Sequence, residues 1–207
     1  MNNAQSAYFI INWLTEHYLE LTGTVLGLIY ISLSVRQKIM TWPFGIATSV
    51  VYAFVFFASR FYAGMGLQIY YVAISVYGWY YWLRGKRTDE SKELSASKIT
   101  PRLIGWSVLL FLISFISMYL FLSFKTDSPV PLMDGLTTSL SVVATWLLAR
   151  KILENWLIWI IANLLSIGLY MFQNLWPTVI LFGVYEVLAI YGYFQWKRRM
   201  LNQPDEK

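Results

Sequence analysis

Apolar residues run through this chain in blocks far longer than a strand requires, and short polar intervals mark where each block stops. Seven such blocks lie at about 19–35, 42–59, 64–83, 103–124, 132–149, 156–173 and 177–196. Each approaches the roughly 17–25 residues that an α-helix needs to cross the hydrocarbon core of a bilayer. The one long charged interval, RGKRTDESKELSASKITPR at 84–102, reads as a solvated loop between two groups of helices. The pattern predicts an all-α integral membrane protein with seven core transmembrane helices. The segment 1–18 includes a short apolar piece, Ala7–Leu14, that either lies in the interface or enters the membrane. The first residues carry no basic run and no small-residue cleavage pattern, so they do not read as a signal peptide.

Composition agrees with this pattern. Of 207 residues, 57% are hydrophobic, 18% aromatic and only 13% charged, against about 25% charged in soluble domains. There is no cysteine, which excludes disulfides and thiolate metal sites. The net charge of +5 would suggest nucleic acid in a soluble protein, but its distribution points elsewhere. Along the predicted spans, one side of the membrane receives Arg36, Lys38, Arg84, Lys86, Arg87, Lys92, Lys98, Arg102, Arg150, Lys151, Lys197, Arg198, Arg199 and Lys207. The other receives only Arg60 and Lys125. Short-loop Lys and Arg accumulate on the cytoplasmic side, so the amino terminus is expected outside and the carboxyl terminus inside. The basic surplus is a topology signal, and no nucleic-acid partner is expected.

The blocks also repeat. At a constant offset of 114 residues Arg36 falls on Arg150, Trp42 on Trp156, Tyr71 on Tyr185, Tyr77-Gly78 on Tyr191-Gly192, Trp82 on Trp196 and Arg84 on Arg198. The expected organisation is therefore a three-helix repeat at 19–83, a cytoplasmic loop at 84–102, a linker helix at 103–124, a second repeat at 132–196 and a cytoplasmic tail at 197–207. An even number of crossings separates equivalent positions, so the repeats are parallel, a 3+1+3 arrangement. Parallel three-helix repeats place a substrate site near mid-membrane, where the halves meet.

Departures from the repeat point to chemistry. Asn163 corresponds to Ser49, Glu186 to Val72, Trp159 to Gly45, and Phe182 to Gln68. In NWLIWIIANLLSIGLY at 155–170, Trp156, Trp159 and Asn163 share a stripe about 60° wide at helical spacing. An amide at that depth either bonds a neighbouring helix or faces a ligand, and indole faces suit planar or cationic rings. Trp156 also fits an interfacial belt position. Glu186 lies on a stripe with Phe182, Ala189, Tyr193 and Trp196, and Gln68 on one with Tyr71, Ser75, Trp79 and Trp82. Two readings of Glu186 stand: a counter-charge or acceptor for substrate, or a protonated carboxyl bonded to a neighbouring helix. Trp42, Ser49 and Tyr170 complete the candidate substrate-binding set. Gly23 and Gly27 read as a packing surface, and His17 as an interfacial residue. No phosphate loop, HExxH, GxSxG or intramembrane carboxylate pair occurs. An intramembrane enzyme working through Glu186 or Asp134 remains the different-class alternative. No cofactor is called for.

The motif Trp156-x-x-Trp159-x-x-x-Asn163, with LQIYYVAISVYGWYYW at 67–82 and LAIYGYFQWKRR at 188–199, resembles the PnuC family of bacterial vitamin transporters over nearly the whole chain. The resemblance implies a 3+1+3 fold related to the SWEET sugar transporters, in a bacterial inner membrane. It implies uptake of nicotinamide riboside by facilitated diffusion, with trapping by a cytoplasmic vitamin kinase. Thiamine, or riboflavin, is the substrate of similar members. By the same resemblance Trp156, Trp159 and Asn163 line the substrate, Gln68 and Tyr71 form the facing wall, and the protein assembles as a homo-oligomer, a trimer. The family pattern does not assign Glu186.

Overall fold

The computed structural model describes residues 18–58, 62–84, 94–172, 174 and 176–202. Ala7–Leu14, His17 and Arg60 lie outside these residues. Seven helices follow in order: α1 Tyr18–Val35, α2 Thr41–Ala58, α3 Tyr62–Arg84, α4 Pro101–Lys125, α5 Pro131–Ala149, α6 Asn155–Phe172 and α7 Trp176–Leu201. Five of them (α2, α4, α5, α6 and α7) are long and apolar enough to cross a membrane. In α1 the apolar part is the shorter Leu21–Val35. In α3, Gln68 and six tyrosines lower the hydropathy of a 23-residue helix.

Local chemistry starts and stops these helices. Thr100 caps α4, its hydroxyl accepting from Leu103 N–H at 3.3 Å, and Pro101 occupies the first turn, where its missing N–H costs nothing. Pro131 does the same for α5, and Asp134 in that first turn suits the positive end of the helix. The ends of α1 and α5 are alike in detail. Gln37 and Lys151 adopt left-handed backbone, φ 57° and 59°. Gln37 N–H bonds Ser34 C=O and Lys38 N–H bonds Leu33 C=O, both at 3.0 Å. Lys151 N–H bonds Leu148 C=O at 2.9 Å and Ile152 N–H bonds Leu147 C=O at 3.0 Å. This is the Schellman C-cap, built twice without glycine. The next bonds also correspond at the 114-residue offset: Thr41 N–H to Lys38 C=O with Asn155 N–H to Ile152 C=O, and Trp42 N–H to Ile39 C=O with Trp156 N–H to Leu153 C=O.

Packing follows chain order within α1–α2–α3 and within α5–α6–α7, while α4 rests on α5. The two groups meet through α3 against α5 and α1 against α7. At the basic end four indoles join them. Trp42 meets Trp82 edge-on at 5.2 Å between ring centroids, Trp156 meets Trp196 edge-on at 5.6 Å, and Trp82 lies 6.3 Å from Trp196. Trp82 Nε1 donates to Ala149 C=O at 3.2 Å, and Trp196 Nε1 donates to Ser34 C=O at 3.1 Å, so each indole bonds the opposite group. The fit depends on two glycines. A Cβ on Gly78 would lie 2.4 Å from the Trp42 ring, and one on Gly192 2.8 Å from Trp156.

The charged interval differs in part from the solvated loop its composition suggests. Leu94–Thr100 is an extended strap on the α5–α6 turn. Ser97 N–H donates to Lys151 C=O at 3.1 Å, and Leu153 N–H donates to Ser97 C=O at 2.9 Å. Ile99 N–H donates to the Glu154 carboxylate at 2.9 Å. Ala96 is buried and Leu94 packs on the same core, an alternation that the neighbouring charges obscure. Lys151 is itself buried, its ammonium bonded to Leu94 C=O and 4.6 Å from the Trp82 ring centroid.

Gly192→Ala is expected to lower stability by about 1–3 kcal/mol through overpacking against Trp156. Gly66→Ala, with open space at its Cβ, should not lower it. Thermal midpoints in detergent check both.

Candidate functional site

The inward face of α6 carries Asn155, Trp156, Ala162, Asn163, Ser166 and Leu169, all buried. Leu157, Ile161 and Leu164 of the same helix are exposed, as a lipid-facing stripe should be. Asn163 therefore points into the bundle, with 3% of its surface accessible. Its amide lies near the Glu186 carboxyl of α7. The two polar residues that depart most from the repeat are thus one pair, on adjacent helices. Glu186 Oε2 is buried and has no partner among the described residues. A mid-depth pair with an acceptor oxygen unused is costly to bury, and it offers a lone pair to a donor or cation.

Further polar and aromatic residues gather on α1, α2, α3 and α5. Tyr71 lies near Ser141 of α5, and its ring lies 5.6 Å from that of Tyr70. Tyr70 Oη donates to Val142 C=O at 2.8 Å. Ser75 is buried, and a Cβ built on Gly45 would touch both Ser75 Oγ, at 3.1 Å, and the Tyr30 ring, at 3.0 Å. Gly45 holds α1, α2 and α3 close here because a larger residue would separate them. Ser49 is buried on α2, and Gln68 is half-buried on α3. The Tyr71–Ser141 approach has a counterpart at the same offset, because the Tyr185 hydroxyl approaches Gly27. Tyr185, Phe182 and Tyr170 form a continuous aromatic row, with centroids 5.7 and 5.1 Å apart. At the far end Asp134 is held by Ser128 Oγ, which donates at 2.7 Å.

Two candidates are tightly packed. Trp42 and Trp156 are enclosed, 0% and 1% accessible, with each indole lying on a glycine and meeting a second indole edge-on. Their ring faces are covered by protein at the basic end of the bundle. Each leaves its Nε1 without a partner among the described residues. Trp159, one turn deeper, is half-buried and packs against the same cluster. Tyr30, Tyr70, Ser141 and Tyr185 were not singled out from the sequence. Tyr185 carried a signal, since it matches Tyr71 in the repeat. Tyr30 carried none, because its counterpart is Ala144. The Gly23–Gly27 packing surface does hold helices together. A Cβ on Gly23 would lie 2.9 Å from the Tyr52 ring of α2. Among the described residues no three His, Asp or Glu side chains are grouped as a metal site would require.

A profile of the nicotinamide mononucleotide transporter family matches residues 17–198. The chain belongs to this family. The Escherichia coli protein named nicotinamide riboside transporter PnuC is 26% identical over 86% of this chain and 84% of its own length. The Neisseria mucosa protein of the same name is 27% identical over 94% of this chain and 76% of its own. The riboflavin/roseoflavin transporter RibM of Streptomyces davaonensis is 26% identical over 95% of this chain and 92% of its own length. A crystal structure of the vitamin B3 transporter PnuC superposes with a TM-score of 0.72 over 96% of this chain and 87% of that one, at 24% identity, a shared fold. As a member of a transporter family the chain is not an enzyme, and the intramembrane-enzyme alternative falls away. It is a multi-pass membrane protein of a vitamin transporter family.

The two tryptophans of the motif should separate experimentally. Trp156→Phe is expected to cost about 1–3 kcal/mol of stability by leaving a void over Gly192. Trp159→Phe, at a half-buried position, should cost less than about 1 kcal/mol. Thermal unfolding in detergent distinguishes the two.

Proposed function

We propose that this chain takes up a flat, cationic B-vitamin, nicotinamide riboside in first place, by facilitated diffusion. The proximity of Asn163 and Glu186 carries the reading, because a buried amide lies near an acid whose Oε2 is buried and without a partner among the described residues. Nicotinamide riboside combines a cationic ring, a carboxamide and a hydroxylated sugar. Trp159 and Tyr71 supply aromatic surface for the ring, worth about 0.5–2 kcal/mol per cation–π contact. Asn163, Gln68, Ser75 and Ser49 supply partners for the amide and hydroxyls, and Glu186 supplies the counter-charge. Trp156 and Trp42 act from beneath, by fixing α6 and α2, and Tyr170 stands where the outer aromatic row closes the path.

The transport step is a rocking of two parallel three-helix repeats, α1–α3 and α5–α7, with α4 as the linker that restores orientation, as in the SWEET arrangement. The matched C-caps and the matched cross-contacts of Trp82 and Trp196 support that division. The basic end faces the cytoplasm of a bacterium and the amino terminus lies outside, as the loop charges favour. Uptake then proceeds down the gradient, and a cytoplasmic kinase traps the vitamin by phosphorylation. A homotrimer in the inner membrane is the assembly that fits the family resemblance.

Thiamine, also a flat cation, is the alternative of the same class. Riboflavin is the neutral alternative, and the RibM relative keeps it in view at an identity equal to that of the Escherichia coli protein. Charge separates them, since Glu186 favours a cation.

Calorimetric titration of the purified protein with nicotinamide riboside, thiamine and riboflavin tests the assignment. Asn163→Leu should abolish saturable binding without lowering folded yield, and unchanged affinity would remove Asn163 from the site. Glu186→Gln should weaken a cationic ligand roughly tenfold, the equivalent of about 1.4 kcal/mol, and a neutral analogue much less. Equal losses would make Glu186 a packing residue.

A further inference from the structure

Away from the vitamin path, where α4 begins and α5 ends, a cleft of about 330 Å³ opens on the outer side of the bundle at its basic end. It is lined by Thr100, Arg102, Leu103, Trp106, Trp146 and Arg150. Two guanidinium groups and two indoles therefore share one concavity. The Arg150 guanidinium lies 4.9 Å from the Trp146 ring centroid, a cation–π contact that holds its plane while leaving most of its donors available. Its Nε is buried and has no partner among the described residues. Among those residues no carboxylate pairs with Arg102 or Arg150, and the nearby Glu154 carboxylate is engaged by Ile99 N–H. Two such guanidiniums repel one another unless an anion lies between them. Arginine's planar fork matches phosphate oxygens two at a time.

The surroundings identify how that anion is presented. Trp106 is exposed at the rim, at the level where indoles settle at a membrane–water boundary. Beyond it α4 exposes Ile104, Val108, Leu109, Leu112 and Ile113, an apolar track running from the cleft toward mid-membrane. A soluble phosphate has no use for that track, whereas acyl chains do. Basic clefts between transmembrane helices are where anionic headgroups settle. The other half offers an internal comparison. At the 114-residue offset Arg150 corresponds to Arg36 and Trp146 to Ser32, and both line a shallow groove on α1 with Val25, Leu28, Ile29 and Leu33. That groove has one arginine, no indole and no second helix. Adding α4 to the second half creates the two-arginine cleft.

We propose that the α4–α5 cleft binds a phosphate group, presented by the headgroup of an anionic phospholipid. Occupancy would fix the linker helix against α5, on which it packs.

Native mass spectrometry and thermal unfolding of the full chain, with phosphatidylglycerol or phosphatidylcholine added to the detergent, test this. Wild type should retain phosphatidylglycerol in preference to phosphatidylcholine and gain thermal stability from it. Arg102→Gln and Arg150→Gln should each weaken retention by about fivefold, and together abolish it. Arg36→Gln should leave it unchanged. Arg102→Gln, at an exposed position, carries the test if the double variant folds poorly. An equal loss in Arg36→Gln would mean diffuse charge attraction and overturn the site. Protection by inorganic phosphate or glycerol phosphate to the same extent as the lipid would assign the cleft to a free phosphate and overturn the lipid source. Equal retention of both lipids would overturn the proposal altogether.

Discussion

Two indoles lying on two glycines hold this bundle in its arrangement. Trp42 can sit against α3 only because Gly78 has no side chain, and Trp156 can sit against α7 only because Gly192 has none. Each is then met edge-on by a second indole, Trp82 or Trp196, whose N–H crosses to a carbonyl of the opposite group of helices. In hydrocarbon, apolar burial drives helix association weakly, and close packing with satisfied polar groups does most of the work. Small residues facing large aromatic ones supply the packing, and the indole N–H groups supply the bonds. The two C-caps at Gln37 and Lys151 set the angle at which α2 and α6 leave the basic face, and so deliver Trp42 and Trp156 to those glycines.

On this symmetric frame the polar equipment is unequal. Tyr71 near Ser141, and Tyr185 near Gly27, repeat one approach at the 114-residue offset, with a hydroxyl facing the tyrosine in one half and a glycine in the other. Asn163 and Glu186 have no polar-pair counterpart, since the equivalent positions are Ser49 and Val72. Burying an amide and an acid in one half alone spends stability for which the frame has no need. The proposed ligand, with a charged ring at one end and hydroxyls at the other, would account for it.

Much of this was legible in the sequence for a physical reason: the same constraint was written twice. Trp42 recurs as Trp156 and Gly78 as Gly192 because each indole lies on its glycine and neither can change alone, although the repeat itself did not show that they touch. Helix positions were legible because each apolar block must match the bilayer. What stayed hidden was rotation and irregular backbone. Trp156 and Asn163 share a stripe, and spacing alone could not say that the indole packs on Gly192 while the amide lies near Glu186. Gln37 and Lys151 reach left-handed backbone without being glycine, so no residue type announced the caps. The strap at Leu94–Thr100 was concealed by flanking charges, although its inward residues, Leu94 and Ala96, do alternate. Tyr30 comes up to Gly45 from α1 with no repeat partner to mark it.

Transport itself is the most direct test of the central claim. Purified protein in liposomes without any ion gradient should admit labelled nicotinamide riboside saturably, in competition with unlabelled vitamin, until the inner and outer concentrations are equal. Entry no faster than into protein-free liposomes would contradict the account, and accumulation above the outer concentration would contradict its mechanism.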